Sequence, residues 1–143
     1  MIGNITFTMI KPGAISHEHI GPILSLINEA GFMIVAMKMV RLHKEDAERF
    51  YEVHKGRPFY NSLIEFMTEG AVLAMILEKD NAVEDYRKLI GNTDPRKAAE
   101  GTIRRMFAED LTHNAVHGSD CDENAAIEAN FFFSSMERFH SKA

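Results

Sequence analysis

The residues best suited to chemistry lie in one short run, Asn114-Ala115-Val116-His117-Gly118-Ser119-Asp120. His117 ends a strand-like segment, stands beside a glycine and just precedes a helix start. Such a junction aims backbone amides outward, and a helix N-terminus favours negative charge. A histidine there is placed to meet an anion, and an imidazole nitrogen is a competent nucleophile towards phosphorus. On this segment alone, a turn histidine that packs or hydrogen-bonds locally is at least as good a reading. A Ser-His-Asp acyl-transfer site fits less well. Ser119 and Asp120 are immediate neighbours of His117, whereas a working triad gathers its members from separate segments. His113-x-x-x-His117 has the spacing of a helical zinc pair, but it lacks the zincin glutamate and lies in a β-prone stretch, so no protein metal site is expected.

Three cations elsewhere change the balance. Lys11 closes the first strand, Arg87 sits late in a helix, and Arg104 lies on a short helix ahead of the histidine. Singly, each is more commonly a solvated surface residue. Together they supply charge for a polyphosphate. Other phosphate chemistries are absent from the sequence. No glycine is followed by lysine, so there is no P-loop, and no two glycines are two apart, so there is no dinucleotide fingerprint. The His-Arg-Asp and Asp-Phe-Gly signatures of protein kinases are also missing.

The elements that must position these residues alternate. Ile5 to Ile10, Phe32 to Leu42, Ala71 to Leu77 and Asn114 to His117 read as strands. Helical spacing of apolar residues predicts helices over Ile20–Ala30, Lys44–His54, Asn61–Thr68, Asp80–Ile90 and Thr102–Ala108. Asp120-x-x-Glu123 resembles a capping box opening a last helix towards Phe131. Lys11-Pro12-Gly13 reads as a turn. The order βαβ…βαβ predicts a four-stranded sheet with helices on one face. The methionines other than Met37 and Met39 read mostly as core filler.

A chain of 143 residues with 45% hydrophobic and 26% charged residues has an ordinary globular balance and is expected to form a single domain. Sixteen Lys+Arg against 21 Asp+Glu give a net charge of −5, which argues against a surface that grips nucleic acid. One cysteine, Cys121, cannot form an internal disulfide, which points to a reducing cytoplasm. No apolar run is long enough for a membrane span, and Met1-Ile2-Gly3-Asn4 shows no signal-peptide pattern.

Over essentially its whole length the sequence resembles nucleoside diphosphate kinases. The resemblance is carried by Thr8-Met9-Ile10-Lys11-Pro12, Phe50-Tyr51, His54-Lys55-Gly56-Arg57-Pro58-Phe59-Tyr60 and Arg87. It continues through Gly91-Asn92-Thr93-Asp94-Pro95, Gly101-Thr102-Ile103-Arg104-x-x-Phe107 and Asn114-x-x-His117-Gly118-Ser119-Asp120, with Glu128 beyond. It implies an α/β (α+β) fold, a ferredoxin-like βαββαβ sandwich whose four-stranded antiparallel sheet is covered by helices. The implied reaction moves the γ-phosphate of ATP, or another triphosphate, to a nucleoside diphosphate by ping-pong transfer through a phosphohistidine on His117, at the ring nitrogen nearer the main chain.

By the same resemblance, Lys11, Arg87, Arg104, Thr93 and Tyr51 would contact phosphates. Asn114 and Lys11 would hold the ribose hydroxyls, Phe59 would stack on the base, and Ser119 and Glu128 would orient His117. Mg²⁺ would bridge the phosphates rather than sit in a protein cage. Two segments depart from the family pattern. Gly13 stands where an aspartate is usual, so an altered loop geometry or stability is expected, and Ser16-His17-Glu18-His19 is also unlike the common pattern. The family implies a homo-oligomer, and the short segment after Phe133 favours a tetramer over a hexamer. A protein of this fold that binds nucleotide without turning it over is the competing reading.

Overall fold

The computed structural model describes residues 3–141. Strands β1 (Ile5–Ile10), β2 (Met33–Val40), β3 (Val72–Glu78) and β4 (Val116–Gly118) form one sheet in the order β2-β3-β1-β4, with every pair antiparallel. The helices are α1 (Pro12–Ser16), α2 (Ile20–Glu29), α3 (Lys44–Phe50), α4 (Tyr60–Thr68), α5 (Ala82–Ile90), α6 (Ile103–Phe107) and α7 (Asp122–Phe132). Single 3₁₀ turns occupy Glu52–His54 and Ser135–Glu137.

Helices cover both faces of the sheet, not one. Side chains alternate across a strand, and the central strands β1 and β3 carry apolar groups at both parities. Phe7, Met9, Val72, Ala74 and Ile76 meet α3, α4 and α7, while Ile10, Leu73, Met75 and Leu77 meet α2, α5 and α6. A strand with two apolar faces needs two layers over it, which the element order alone does not reveal. The methionines divide similarly. Met9, Met67 and Met75 are fully buried, but Met33, Met37, Met39, Met106 and Met136 are exposed, so core filling accounts for only three of them, and Met1 lies outside the described residues.

Several boundaries differ from the sequence expectation for local reasons. Residues 12–16 form a helical turn with Pro12 at its first position, where a missing N–H costs nothing. The predicted last strand moves two residues on. Asn114–Val116 is instead a three-residue turn closed by Val116 N–H to the Asn114 carbonyl at 2.9 Å, with Ala115 at φ +75°. The Asp120-x-x-Glu123 capping box does not form, because Cys121 is the N-cap and Asp120 Oδ1 instead accepts from Asn124 Nδ2 at 2.7 Å. Gly13 is helical, and a Cβ there would only touch the Phe66 ring at 3.5 Å, so the backbone does not require glycine. In the other departing segment, His17 Nδ1 donates to the Gly13 carbonyl at 2.8 Å and closes α1.

Gly91 ends α5 with φ 86° and ψ −174°, a region reserved almost wholly for glycine. A Cβ there would lie 2.6 Å from Thr102 Oγ1, at the start of α6. Gly91→Ala is expected to lower stability by about 2–4 kcal/mol through backbone strain and overpacking together. Urea unfolding measures the loss, and adding Thr102→Ala should recover only a part of it, since Thr102 Cβ, 2.7 Å from the added methyl, remains.

Candidate active site

His117 occupies the middle of β4, opposite Met9 of β1. A three-residue edge strand has only a short ladder to β1, and further bonds hold the carbonyls of Val116, His117 and the preceding Ala115. The Ala115 carbonyl accepts from the Lys11 N–H at 2.8 Å, the Val116 carbonyl from Arg104 Nη2 at 3.0 Å, and the His117 carbonyl from Thr8 Oγ1 at 2.6 Å. The positive φ at Ala115 is strain of about 1–3 kcal/mol, and such strain clusters at functional sites. It turns the chain sharply just before the histidine.

The imidazole is fixed from both sides. His117 Nε2 lies 3.0 Å from Glu128 Oε1, and both side chains are 18% exposed. A carboxylate only accepts, so Nε2 carries the proton and donates it. The lone pair is then on Nδ1, the nitrogen nearer the main chain. Ser119 Oγ donates to the same Glu128 oxygen at 2.7 Å and accepts from the Phe7 N–H at 3.1 Å, which ties the carboxylate to β1. The rings of Phe50, Phe7 and Tyr51 pack round the imidazole with centroids at 5.3, 6.0 and 6.3 Å.

The cations are arranged differently from those on the surface. Lys11 is buried and donates to Asn114 Oδ1 at 2.7 Å, while Arg104 is buried and donates to the Gly91 and Val116 carbonyls, both at 3.0 Å. All three acceptors are neutral. On the surface, Lys79, Arg96 and Lys38 instead pair with Asp85, Asp94 and Glu137. Among the described residues no carboxylate forms an ion pair with buried Lys11 and Arg104 or with exposed Arg87. Burial, reinforced by the Arg104 charge, pulls the Lys11 ammonium down to about 7. Burial likewise lowers Arg104 to about 10. Two buried polar atoms of this cluster, Tyr51 Oη and Arg104 Nε, have no hydrogen-bond partner among the described residues. Each such group costs about 1–3 kcal/mol that a ligand atom or water would offset.

Two adjoining cavities, of about 540 and 160 Å³, share Arg87, Gly91 and Asn92. Asp120 lines the larger one, and Thr93 and Arg104 line the smaller. Another cavity, of about 670 Å³, lies between α4 and residues 109–113, but Glu65, Glu69, Glu109 and Asp110 line it and give it the wrong sign for a polyphosphate. Phe59 is 43% exposed at the start of α4 and reaches the cluster through His54, whose ring lies 5.4 Å from Phe59 and 6.2 Å from Tyr51.

The structure therefore gathers His117, Glu128 and Ser119, and beside them Lys11 with Asn114, and Arg87 with Thr93 and Arg104. Tyr51 is adjacent, and Phe59 stands at the margin. His54 was given no role from sequence. Its ring lies between Tyr51 and Phe59, and burial, with the Arg57 and His117 charges, depresses its pKa. Spacing within the His54-to-Tyr60 run carried no sign of this.

A model of the nucleoside diphosphate kinase family matches residues 4–138. A nucleoside diphosphate kinase of Flavobacterium psychrophilum is 58% identical over 139 residues, covering 97% of this chain and all of that protein. One of Oleidesulfovibrio alaskensis is 57% identical, covering 92% of this chain and 95% of that protein. Among solved structures, the nucleoside diphosphate kinase of Aquifex aeolicus superposes with a TM-score of 0.91 at 41% identity, covering 94% of this chain and 98% of that one. The enzyme of Halobacterium salinarum in complex with CDP gives 0.91 at 35% identity, covering 99% of this chain and 94% of that one. The chain belongs to the nucleoside diphosphate kinase family, phosphotransferases that pass the terminal phosphoryl group of a nucleoside triphosphate to a nucleoside diphosphate by ping-pong exchange through a phosphohistidine.

Proposed function

We propose that His117 carries the phosphoryl group and that Nδ1 is the atom that accepts it. The observation that carries this reading is the Nε2 contact with Glu128, which leaves the lone pair on Nδ1. In the first half-reaction Nδ1 attacks the γ-phosphorus of the triphosphate, the N–P bond forms, and the bond to the bridging oxygen breaks. The diphosphate then leaves with that electron pair. No proton need leave His117, because Nε2–H remains on Glu128 throughout. A second diphosphate reverses the step. Donor and acceptor are alike, so one cleft serves both.

In-line transfer depends on positioning and charge neutralisation more than on covalent assistance. Lys11, Arg87 and Arg104, with Thr93 and Tyr51, would hold the phosphates. Lys11 and Asn114 would hold the ribose hydroxyls, and Phe59 would stack on the base. A stacking face accepts any base, which supports broad nucleotide tolerance. The donor set of the cleft is cationic and suits phosphate directly. A Mg²⁺ ion would therefore be held mainly through the phosphates and water, with Glu84 and Asp120 the carboxylates lining the larger cavity, and when bound it would neutralise phosphate charge.

We read the chain as one kinase domain acting as a homo-oligomer, a tetramer in preference to a hexamer. Support for self-association comes from β2, an edge strand that exposes Met33, Met37 and Met39. Among the described residues no helix is long and apolar enough to cross a membrane. The single cysteine supports the cytoplasm as its location.

Incubation with γ-labelled ATP should leave acid-labile, base-stable label on the protein, and His117→Ala should take none. Label persisting in the alanine variant would overturn the assignment. Lys11→Met should lower kcat about 10²–10³-fold, the usual cost of removing one transition-state contact. The Lys11 ammonium, at about 7 in the free protein, should rise when a diphosphate binds, so binding at neutral pH takes up protons. Calorimetry in buffers of different ionisation enthalpy reads this uptake. It should fade well below pH 7, where Lys11 is already charged, and fall in Lys11→Met to the nucleotide's own contribution. Sedimentation equilibrium should give four times the 16.2 kDa chain mass, and Met37→Glu should shift it to smaller species.

A further inference from the structure

We propose that Tyr86 and Thr8 are positioning residues for phosphoryl transfer, forming a buried relay from Tyr86 Oη through Thr8 Oγ1 to the His117 carbonyl. This rests on the reading of His117 as the phosphoryl carrier. Thr8 Oγ1 donates its one proton to the His117 carbonyl at 2.6 Å. Its contact with Tyr86 Oη at 2.8 Å must then run the other way, with the phenol donating. Both residues are fully buried. Burial pushes the phenol's pKa up, so it remains a donor throughout the neutral range.

A purely space-filling role does not account for the hydroxyls. Phe and Val would occupy the same volumes, and the apolar wall of α5 is otherwise made by Ala82, Val83 and Ile90. The Thr8 hydroxyl instead bonds the one carbonyl that belongs to the nucleophile, and the Tyr86 hydroxyl bonds Thr8. β4 needs such an anchor, being three residues long, at the sheet edge, and entered through the strained turn at Ala115. The Tyr86 ring also sets how closely β4 approaches α5. A Cβ on Gly118 would lie 3.2 Å from Tyr86 Cδ2 and 2.9 Å from Ile90 Cδ1. The next residue of α5 is Arg87, which lines the phosphate cavities. The relay therefore joins the element that holds phosphate to the main chain that presents Nδ1. Misplacement of a reacting atom by about 1 Å can cost on the order of 10²-fold in rate, so a loosened carbonyl matters.

The test compares Tyr86→Phe, Thr8→Val, the double variant and Thr8→Ser by single-turnover phosphorylation from ATP, ADP affinity, and amide hydrogen exchange at residues 116–118. Tyr86→Phe and Thr8→Val should each slow phosphorylation by about 5–30-fold, with the Kd for ADP within about 2-fold of wild type, as loss of positioning requires. Thr8→Ser keeps the hydroxyl and should restore both rate and exchange protection. The double variant should be no slower than Thr8→Val alone, because Tyr86 acts only through Thr8. Ile27→Val, a core change on α2, controls for general destabilisation and should leave the rate unchanged. Unchanged rates in the relay variants, multiplying losses in the double variant, or an equal loss in Ile27→Val would overturn the relay. Should Tyr86→Phe fail to fold, Thr8→Val against Thr8→Ser decides by the same readings. Wild-type protein that takes no label on His117 would overturn the underlying reading instead, a pattern distinct from labelled wild type with indifferent variants.

Discussion

The hydrogen bond from His117 Nε2 to Glu128 governs the arrangement of the whole site. It assigns the ring proton to one nitrogen and the lone pair to the other. Glu128 can do this only because Ser119 holds the same carboxylate oxygen and is itself tied to Phe7 on β1. The carboxylate arrives on α7, which docks on the sheet through Ala125, Ala129 and Phe132. Small residues at two of these positions let the helix approach closely. The polar trio is thus set into the aromatic side of the core, where Phe7, Phe50 and Tyr51 limit the motions of the ring.

The second constraint is charge. The chain is acidic overall, yet Lys11 and Arg104 are buried, and among the described residues they donate to neutral oxygens. Lys38, Lys79 and Arg96 are instead matched to carboxylates. Burying a cation without a counter-ion is unfavourable, and the depressed ammonium of Lys11 records that cost. The polyphosphate proposed as ligand would supply the missing negative charge.

The strand and helix count was largely legible from hydrophobic periodicity. Ile20, Ile23, Leu24 and Ile27 announce α2, and Val83, Tyr86 and Ile90 announce α5. The second helical layer was not legible, since burial of β1 and β3 on both faces depends on elements distant in the chain. The short β4 was misplaced because a hydrogen-bonded turn with positive φ at Ala115 takes up residues whose types suit a strand. Cys121 displaced Asp120 as the N-cap once Asp120 found Asn124. Tyr86 read simply as an apolar helix position, because nothing local shows that its hydroxyl would meet Thr8 across the sheet.

By itself the sequence determined most of the element order, because periodicity is local, and its resemblance to the family nominated the candidate site residues, from the run Asn114-x-x-His117-Gly118-Ser119-Asp120 with Lys11, Arg87 and Arg104. Only the tertiary structure decided which imidazole nitrogen is available, which cations lack counter-ions, and what anchors a three-residue strand. Those properties belong to contacts between residues as far apart as Phe7 and Ser119, or Thr8 and His117, and such contacts exist only once the sheet is closed and both of its faces are covered.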